Sequence, residues 1–203
     1  MFAIIRLLIG CAICGGCFAW IQKSSTPNKR RKCIICVVAT VALLATSSIF
    51  PPENVLWPFD SPTAAYQYIH PGKDDIKLIV NGKTCDLVIG GNEITDEFQV
   101  IPKSSDGWGV DMGMGLKRIK HISTKSSSVS VYQYKDTSDY FVVAYNIDSS
   151  SALVSDSVSS EFVSFARPNT TNDGVFYVHY ANVQGIQQGY TITLNGESVT
   201  VFE

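Results

Sequence analysis

No acidic residue occurs in the first 50 positions of this 203-residue sequence, although six bases do: Arg6, Lys23, Lys29, Arg30, Arg31 and Lys32. All 18 acids lie beyond them with the other ten bases, so a net charge of −2 conceals +6 in the first part and −8 in the second. So sharp a split places the two parts in different environments. The larger part cannot hold an internal disulfide, because Cys85 is its only cysteine; a domain of about 150 residues builds a sufficient core without one. Histidine is scarce too. His70, His121 and His179 are the full complement, and none stands at metal-ligand spacing with another histidine, a cysteine or an acid. No G-x-S-x-G elbow occurs, and DGWGVDMGMGL (106–116) lacks the G-x-G-x-x-G order of a phosphate-binding turn. No reaction centre is legible, so neither an enzymatic activity nor a cofactor is expected. The −8 charge of the larger part repels phosphate and argues against nucleic acid.

What the chain does have is two apolar runs at its start. Residues 1–21 contain 17 apolar residues, and residues 33–50 contain 14 of 18 with no charge. A hydrocarbon core of roughly 30 Å takes about 20 helical residues, and about 17 suffice. Both runs are therefore read as transmembrane helices, with Arg6 extending its head to the interface. The basic connector 22–32, carrying Lys23, Lys29, Arg30, Arg31 and Lys32, determines the topology, since short Lys/Arg-rich loops stay in the cytoplasm. If both runs span, the N-terminus and residues 51–203 face outward. If only the second spans, the N-terminus is inside and residues 51–203 are still outside. LIGC (8–11) resembles a lipobox with Cys11 as the lipidated residue, and 28–48 resembles a secretory signal. The apolar stretch running on past Cys11 and the uncut length of the second core favour plain helices.

Cys11, Cys14, Cys17, Cys33 and Cys36 all lie in these apolar runs. With Gly10, Gly15 and Gly16 they read as small residues at a helix–helix seam, through which the chain would also oligomerise. Acylation of Cys17, Cys33 or Cys36 near the inner face is the alternative.

Beyond the anchor (1–50), PPENVLWPFDS (51–61) reads as a proline-rich stalk. Ser61-Pro62 then supplies an N-cap with proline at the first helical position, so TAAYQYI continues as a short helix ended by Pro71-Gly72. The rest is β. In IKLIVNGKTCDLVI (76–89), Asn81-Gly82 reads as a two-residue hairpin turn, setting Leu78 opposite Cys85, Ile76 opposite Leu87 and Lys77 opposite Asp86. YTITLNGESVTVF (190–202) repeats the logic around Asn195-Gly196, with Ile192 opposite Val199 and Tyr190 opposite Val201. Between them EFQVI (97–101), LKRIKHI (116–122), SVSVYQY (128–134), DYFVVAYNI (139–147), EFVSF (161–165) and VFYVHYA (175–181) read as strands. The expected architecture is a mainly β chain: a transmembrane helical hairpin, then an extracytoplasmic domain (62–203) that is β-sandwich-like or two-part and carries one short helix. The serine tracts 126–130 and 149–160 read as loops, the second as the place of any internal break. Asn169-Thr170-Thr171 is a glycosylation sequon.

Two places could meet a partner. Trp108, Met112 and Met114 in the glycine-rich stretch would make a mobile apolar contact, or Trp108 would simply pack inward. Lys117, Arg118 and Lys120 form a basic run on an acidic domain: either a solvated strand face or a contact to anionic lipid or wall polymer. Membrane lipid and an envelope protein or wall component are the expected partners. The expected role is a membrane-tethered extracytoplasmic binding module. An accessory or immunity-type subunit acting through its transmembrane hairpin is the alternative.

FDSPTAAYQYI (59–69), IPKSSDGWGV (101–110) and TSDYFVVAY (137–145), in that order, resemble small membrane-anchored extracytoplasmic proteins of Gram-positive Firmicutes bacteria. Those carry an "SPEEA" helix, an "IPK…GW" segment and a "DYYV" strand. The likeness covers residues 59–165, with Thr63-Ala64-Ala65 standing where the family has acids. It implies a bacterial envelope location, and the family carries no assigned activity from which site residues would follow.

Overall fold

The computed structural model describes residues 2–23, 29–49, 54, 58–72, 75–91, 96–111, 115–147, 153–169 and 174–202. Most of the expected stalk, Met112, Met114 and the first third of the serine tract 149–160 fall outside them. Helix α1 (Phe2–Lys23) and helix α2 (Lys29–Ile49) form an antiparallel hairpin. Lys32 Nζ lies 4.9 Å from the centroid of the Trp20 ring, Cys14 Sγ lies 3.9 Å from Thr40 Oγ1, and the Cys36 thiol is in hydrogen-bonding contact with Cys17. The small residues expected to form one seam are thus divided. Gly10 is buried, and Cys14 and Cys17 meet α2, whereas a Cβ added at Gly15 or Gly16 would meet no atom within 4 Å. Among the described residues no helix is long and apolar enough to cross a membrane; the described side chains cover residues 8–23 of α1 and 30–42 and 45 of α2. The helical hairpin is a feature of the fold.

The remainder is mainly β, all antiparallel, in three sheets. The first has the order β1 (Leu78–Asn81), β2 (Cys85–Gly90), β3 (Glu97–Ser104), β4 (Gly107–Trp108). The second has five strands in the order β5 (Leu116–Ser123), β6 (Ser127–Tyr134), β7 (Asp139–Asn146), β10 (Val175–Gln184), β9 (Val163–Pro168). The third joins β12 (Glu197–Thr200), β11 (Thr191–Leu194) and β8 (Val154–Asp156). Most expected strands are present. The serine residues of 127–130 lie within β6 rather than in a loop, and β8 arises inside the second serine tract. Serine's weak intrinsic preference is overridden there by pairing with β5, β7 and β11.

The five-stranded sheet is the middle layer. Strand alternation sends Phe141 and Val143 to one face, where they meet Leu87, Ile89 and Val100 of the first sheet. It sends Val142 and Ala144 to the other, where they meet Ile192 and Leu194 of the third. Helix α3 (Pro62–Ile69) covers the outer side of the first sheet, with Ala65 and Tyr66 against Val88 and Ile101. Each such fully buried Leu or Ile contributes about 1.5–3 kcal/mol. The chain makes two packed interfaces, not the one of a simple sandwich, because both faces of β7 and β10 are apolar enough to be covered. The α3 cap is as the sequence suggests: Ser61 Oγ accepts from the Ala64 amide at 3.1 Å, with Pro62 at the first helical position.

The two Asn-Gly pairs part company. Asn195 and Gly196 both have positive φ, 50° and 89°, and close β11 onto β12 with Ile192 opposite Val199, as expected of a two-residue turn. Asn81, however, is the last residue of β1, and the chain reverses over Lys83-Thr84 instead. Leu78 faces Ile89, Val80 faces Leu87 and Asn81 faces Asp86, so the expected pairs Leu78–Cys85 and Lys77–Asp86 do not form. The cause is distant. Asp139, at the start of β7, accepts from the amides of Lys83 at 2.8 Å and Thr84 at 2.6 Å, and from the Thr84 hydroxyl at 2.5 Å. Asn182 and Gln184 of β10 complete its shell. Burial opposes its charge, yet these donors outweigh it and hold the carboxyl below its ordinary range. The turn is placed where its amides reach this carboxylate.

Candidate functional site

The first sheet leaves part of the central sheet uncovered, and there the inner face opens as a cleft of about 550 Å3, within the ~300–1,000 Å3 range of small-ligand sites. Its floor is Val143 of β7 and Val178 of β10. Aromatic rings stand along it in two contacts: Phe98 with Tyr132, centroids 5.7 Å apart and edge to face, and Tyr145 with Phe176, also 5.7 Å. Every second residue of β6 points into it, so Ser128, Ser130 and Tyr132 line the cleft while Val129 and Val131 go to the opposite core.

A β-bulge supplies the histidine. In β5 the register runs from Arg118–Tyr132 to Lys120–Val131, leaving Ile119 as an extra residue. Without it His121 would face Val129 and the far core. With it His121 faces Ser130, and its Nδ1 lies 2.8 Å from Ser130 Oγ. The same bulge divides the basic run. Arg118 pairs with Tyr132 on the cleft side, whereas Lys117 and Lys120 pair with Gln133 and Val131 on the other. All three are exposed. The expected basic patch is therefore two half-patches on opposite faces of an edge strand.

At the β9 end stands a charged node. Asp96 accepts from Lys77 Nζ at 3.2 Å, from the Arg167 guanidinium and from the Tyr180 hydroxyl. Burial pushes the Tyr180 phenol up to about 12, despite Arg167 beside it, so it remains a donor. Lys77 and Arg167 flank the Phe165 ring at 5.2 and 5.7 Å from its centroid. Arg167 is only 8% exposed and reaches the cleft from this node. Behind it lies a second, more open hollow of about 680 Å3 walled by Ile76, Phe165 and Val175.

Trp108 lies elsewhere. It packs with Phe59 and α3 on the outer side of the first sheet, its backbone pairs with Phe59, and its indole N–H donates to Asp86 Oδ2 at 2.6 Å. Asp86 also takes Lys103 Nζ at 2.6 Å. Trp108 is held by the fold, which is the inward-packing alternative. Met112 and Met114 are outside the described residues, and Lys117, Arg118 and Lys120 do not line the cleft.

Two serine–histidine contacts exist, Ser130–His121 in the cleft and Ser164–His179 at 2.7 Å on the other face. Burial lowers the His179 pKa, keeping it neutral. Among the described residues no carboxylate is bonded to either imidazole, and no group of three or more histidines, cysteines or acids could hold a metal ion. Ser130 sits in a strand paired on both sides, so among the described residues the backbone of β6 offers its hydroxyl no free amide as an oxyanion donor.

Comparison with protein-family models, with curated proteins and with solved structures finds no match. The cleft thus stands on its own geometry.

The aromatic and hydroxyl lining escaped sequence reading, although a signal for it exists. In SVSVYQY one alternate set is valine and the other is Ser, Ser, Tyr: two faces of unlike chemistry on one strand. Arg167 carried no signal at all, because its partner Asp96 is remote in sequence.

Proposed function

We propose that the chain is a membrane-tethered binding module of a bacterial envelope, displaying its β domain outside the cytoplasm, and that the cleft over the central sheet is its binding site. The observation that carries the reading is the cleft's lining: aromatic faces, hydroxyls, an imidazole and a guanidinium converge on one roomy space, and their shared chemistry is contact and hydrogen bonding. For the tether, the support is the hairpin's surface. Leu8, Phe18 and Trp20 of α1 and Ile34, Val38 and Val41 of α2 are each more than half exposed to the surroundings. A helix apolar on every side belongs in lipid or against protein. Arg30 and Arg31, exposed at the start of α2, and Lys23 at the end of α1 favour a cytoplasmic connector. The resemblance of residues 59–165 to Firmicutes envelope proteins points the same way.

Protease added to intact spheroplasts is expected to digest residues 58–202 and spare the hairpin. Digestion only after lysis would overturn the tethered, outward reading. Cross-linking of intact cells is expected to capture an envelope partner with the native chain and to lose it with Ser128→Phe, which fills the cleft. Equal capture by both would move the binding site elsewhere.

One observation favours a second reading, an accessory membrane subunit acting through the hairpin. Gly15 and Gly16 present an open flat face that α2 does not use, suited to a further helix. Gly15→Leu would then abolish partner association without altering the hairpin; intact association removes this reading.

A further inference from the structure

We propose that two copies of this chain pair through the free edge of β9, antiparallel about a two-fold axis at Phe165, so that the central sheet of one copy continues into the next. The pairing holds whatever the cleft binds. β9 is bonded to β10 alone and ends the five-stranded sheet. Its ladder decides which backbone groups face out. The Asn169 amide donates to the Gly174 carbonyl at 2.7 Å, one step beyond the Pro168–Val175 pair. Bonded and non-bonded pairs alternate in an antiparallel ladder. Val163, Phe165 and Arg167 therefore bond to β10, whereas Ser164, Ala166 and Pro168 turn their backbone outward. Ser164 and Ala166 are exposed, and among the described residues neither has an outward backbone partner. The Ser164 hydroxyl is taken by His179, but its amide is not.

The opposite edge of the sheet is guarded. β5 exposes Lys117, Arg118 and Lys120 and is bent by the bulge at Ile119, so two such edges would repel and misfit. β9 has no bulge and one charged residue, Arg167, which is bound to Asp96. Beside it lies the second hollow, of about 680 Å3. Both Phe165 and Ala166 line this space, although neighbouring side chains leave opposite faces of a strand, so it opens along the edge rather than over one face. Ile76, Pro168 and Val175 make it apolar.

β9 fits itself. With Phe165 opposite Phe165 of the second copy, Ser164 faces Ala166 of that copy and Ala166 faces its Ser164. Each N–H and C=O that these residues turn outward then finds a partner, four bonds across the axis. A register centred on Arg167 would oppose two guanidinium groups and would ask an N–H of Pro168, which has none. One centred on Val163 would run off the start of the strand. In the Phe165 register the apolar Val163, 40% exposed in the single copy, comes under Arg167 of the second copy. The two Phe165 rings meet at a non-bonded pair, where side chains approach most closely, beside the two hollows.

The test uses the full chain in detergent micelles, its oligomeric state read by light scattering and sedimentation. So short an edge makes a weak pair, and the native dimer is expected to dissociate with a Kd of roughly 1–100 μM. Ala166→Pro deletes an outward N–H and takes nothing from the β9–β10 ladder, as Pro168 in the same outward set already shows. It is expected to weaken the dimer by about tenfold or more with circular dichroism unchanged. Ala166→Ser, which keeps the amide, should leave the dimer intact. Phe165→Cys, oxidised with copper phenanthroline, should link the two copies by a disulfide that peptide mapping identifies, because the Cα atoms of a non-bonded pair lie about 4.5 Å apart. Val163→Cys, which faces Arg167, should not link to itself.

A native chain that stays monomeric at about 100 μM overturns the proposal. So does a dimer that Ala166→Pro leaves at native strength, which would belong to the helical hairpin. A monomeric chain whose Ser164 and Ala166 amides exchange slowly in native membranes and fast once purified overturns the second copy in favour of a foreign strand. Self-linkage of Val163→Cys without that of Phe165→Cys overturns the register.

Discussion

Replacing Asp139 with alanine removes the acceptor on which the β1–β2 turn is hung. Five nitrogen and oxygen donors meet this carboxylate: the amides of Lys83 and Thr84, the Thr84 hydroxyl, and the side-chain amides of Asn182 and Gln184. Asp139 itself has no solvent-accessible surface. A hydrogen bond to a charged group contributes about 1.5–3 kcal/mol net, and a buried donor left without an acceptor costs about 1–3 kcal/mol. The side chains of Thr84, Asn182 and Gln184 are partly exposed and turn to water. The two backbone amides cannot turn without moving the loop. Counting chiefly these two, Asp139→Ala should cost about 4 kcal/mol, and Asp139→Asn, which keeps one acceptor oxygen, about 2 kcal/mol. Against a typical total of about 5–15 kcal/mol this is a large fraction. Urea unfolding of the full chain in micelles, followed by near-ultraviolet circular dichroism, measures it. Hydrogen exchange at Lys83 and Thr84 should accelerate in parallel. A loss below about 1 kcal/mol for alanine, with exchange at those amides unchanged, would refute the claim that this carboxylate positions the turn.

Asp139 and Asp156 also predict the acid limb of stability. Burial works against ionisation of both, but at Asp139 the Thr84 and Gln184 donors, and at Asp156 the hydroxyl and amide of Ser160 with the Tyr190 hydroxyl, hold the carboxyl below its usual range. Groups depressed on folding stabilise above the unfolded value of about 4 and lose that contribution as pH falls through the folded one. Stability should therefore be flat near neutrality and decline below about pH 4, less steeply in Asp139→Asn; an unchanged acid slope in that variant would contradict the assignment. Gly196→Ala, forced into φ 89°, should cost about 1–2 kcal/mol by thermal unfolding, and a neutral result would argue against the tight turn there. Cys85 is inaccessible, and burial first, with Asp139 beside it, pushes its thiol up to about 12. Peptide mapping after iodoacetamide at pH 8 should find it labelled only once the domain unfolds; rapid native labelling would refute the burial. Trp108→Phe, losing the bond to Asp86, should cost about 1–2 kcal/mol in the same urea assay, and a cost near zero would show that the bond does not stabilise the fold.

Local chemistry was legible wherever it acts within a few residues. The Ser61-Pro62 cap starts α3, Asn195-Gly196 closes β11 onto β12, and the β-branched and aromatic runs became strands, because each depends on backbone preferences that neighbours in sequence supply. The charge split and the two apolar runs were equally plain, and they become the helical hairpin. Register was not legible. Moving the partners of Leu78 from Cys85 to Ile89 shifts the pairing by an even number, so every side chain keeps its face and the alternation pattern cannot tell the two arrangements apart.

What decided between them was Asp139, brought beside the turn only by the packing of the first sheet on the second. The same holds for the cleft. His121 enters it through one bulged residue, and Arg167 through a carboxylate on the loop before β3. Composition and periodicity say which residues are apolar and which strand they occupy. Only the stacking of three sheets says which polar groups end up facing the same space, because that depends on contacts between residues far apart in the chain.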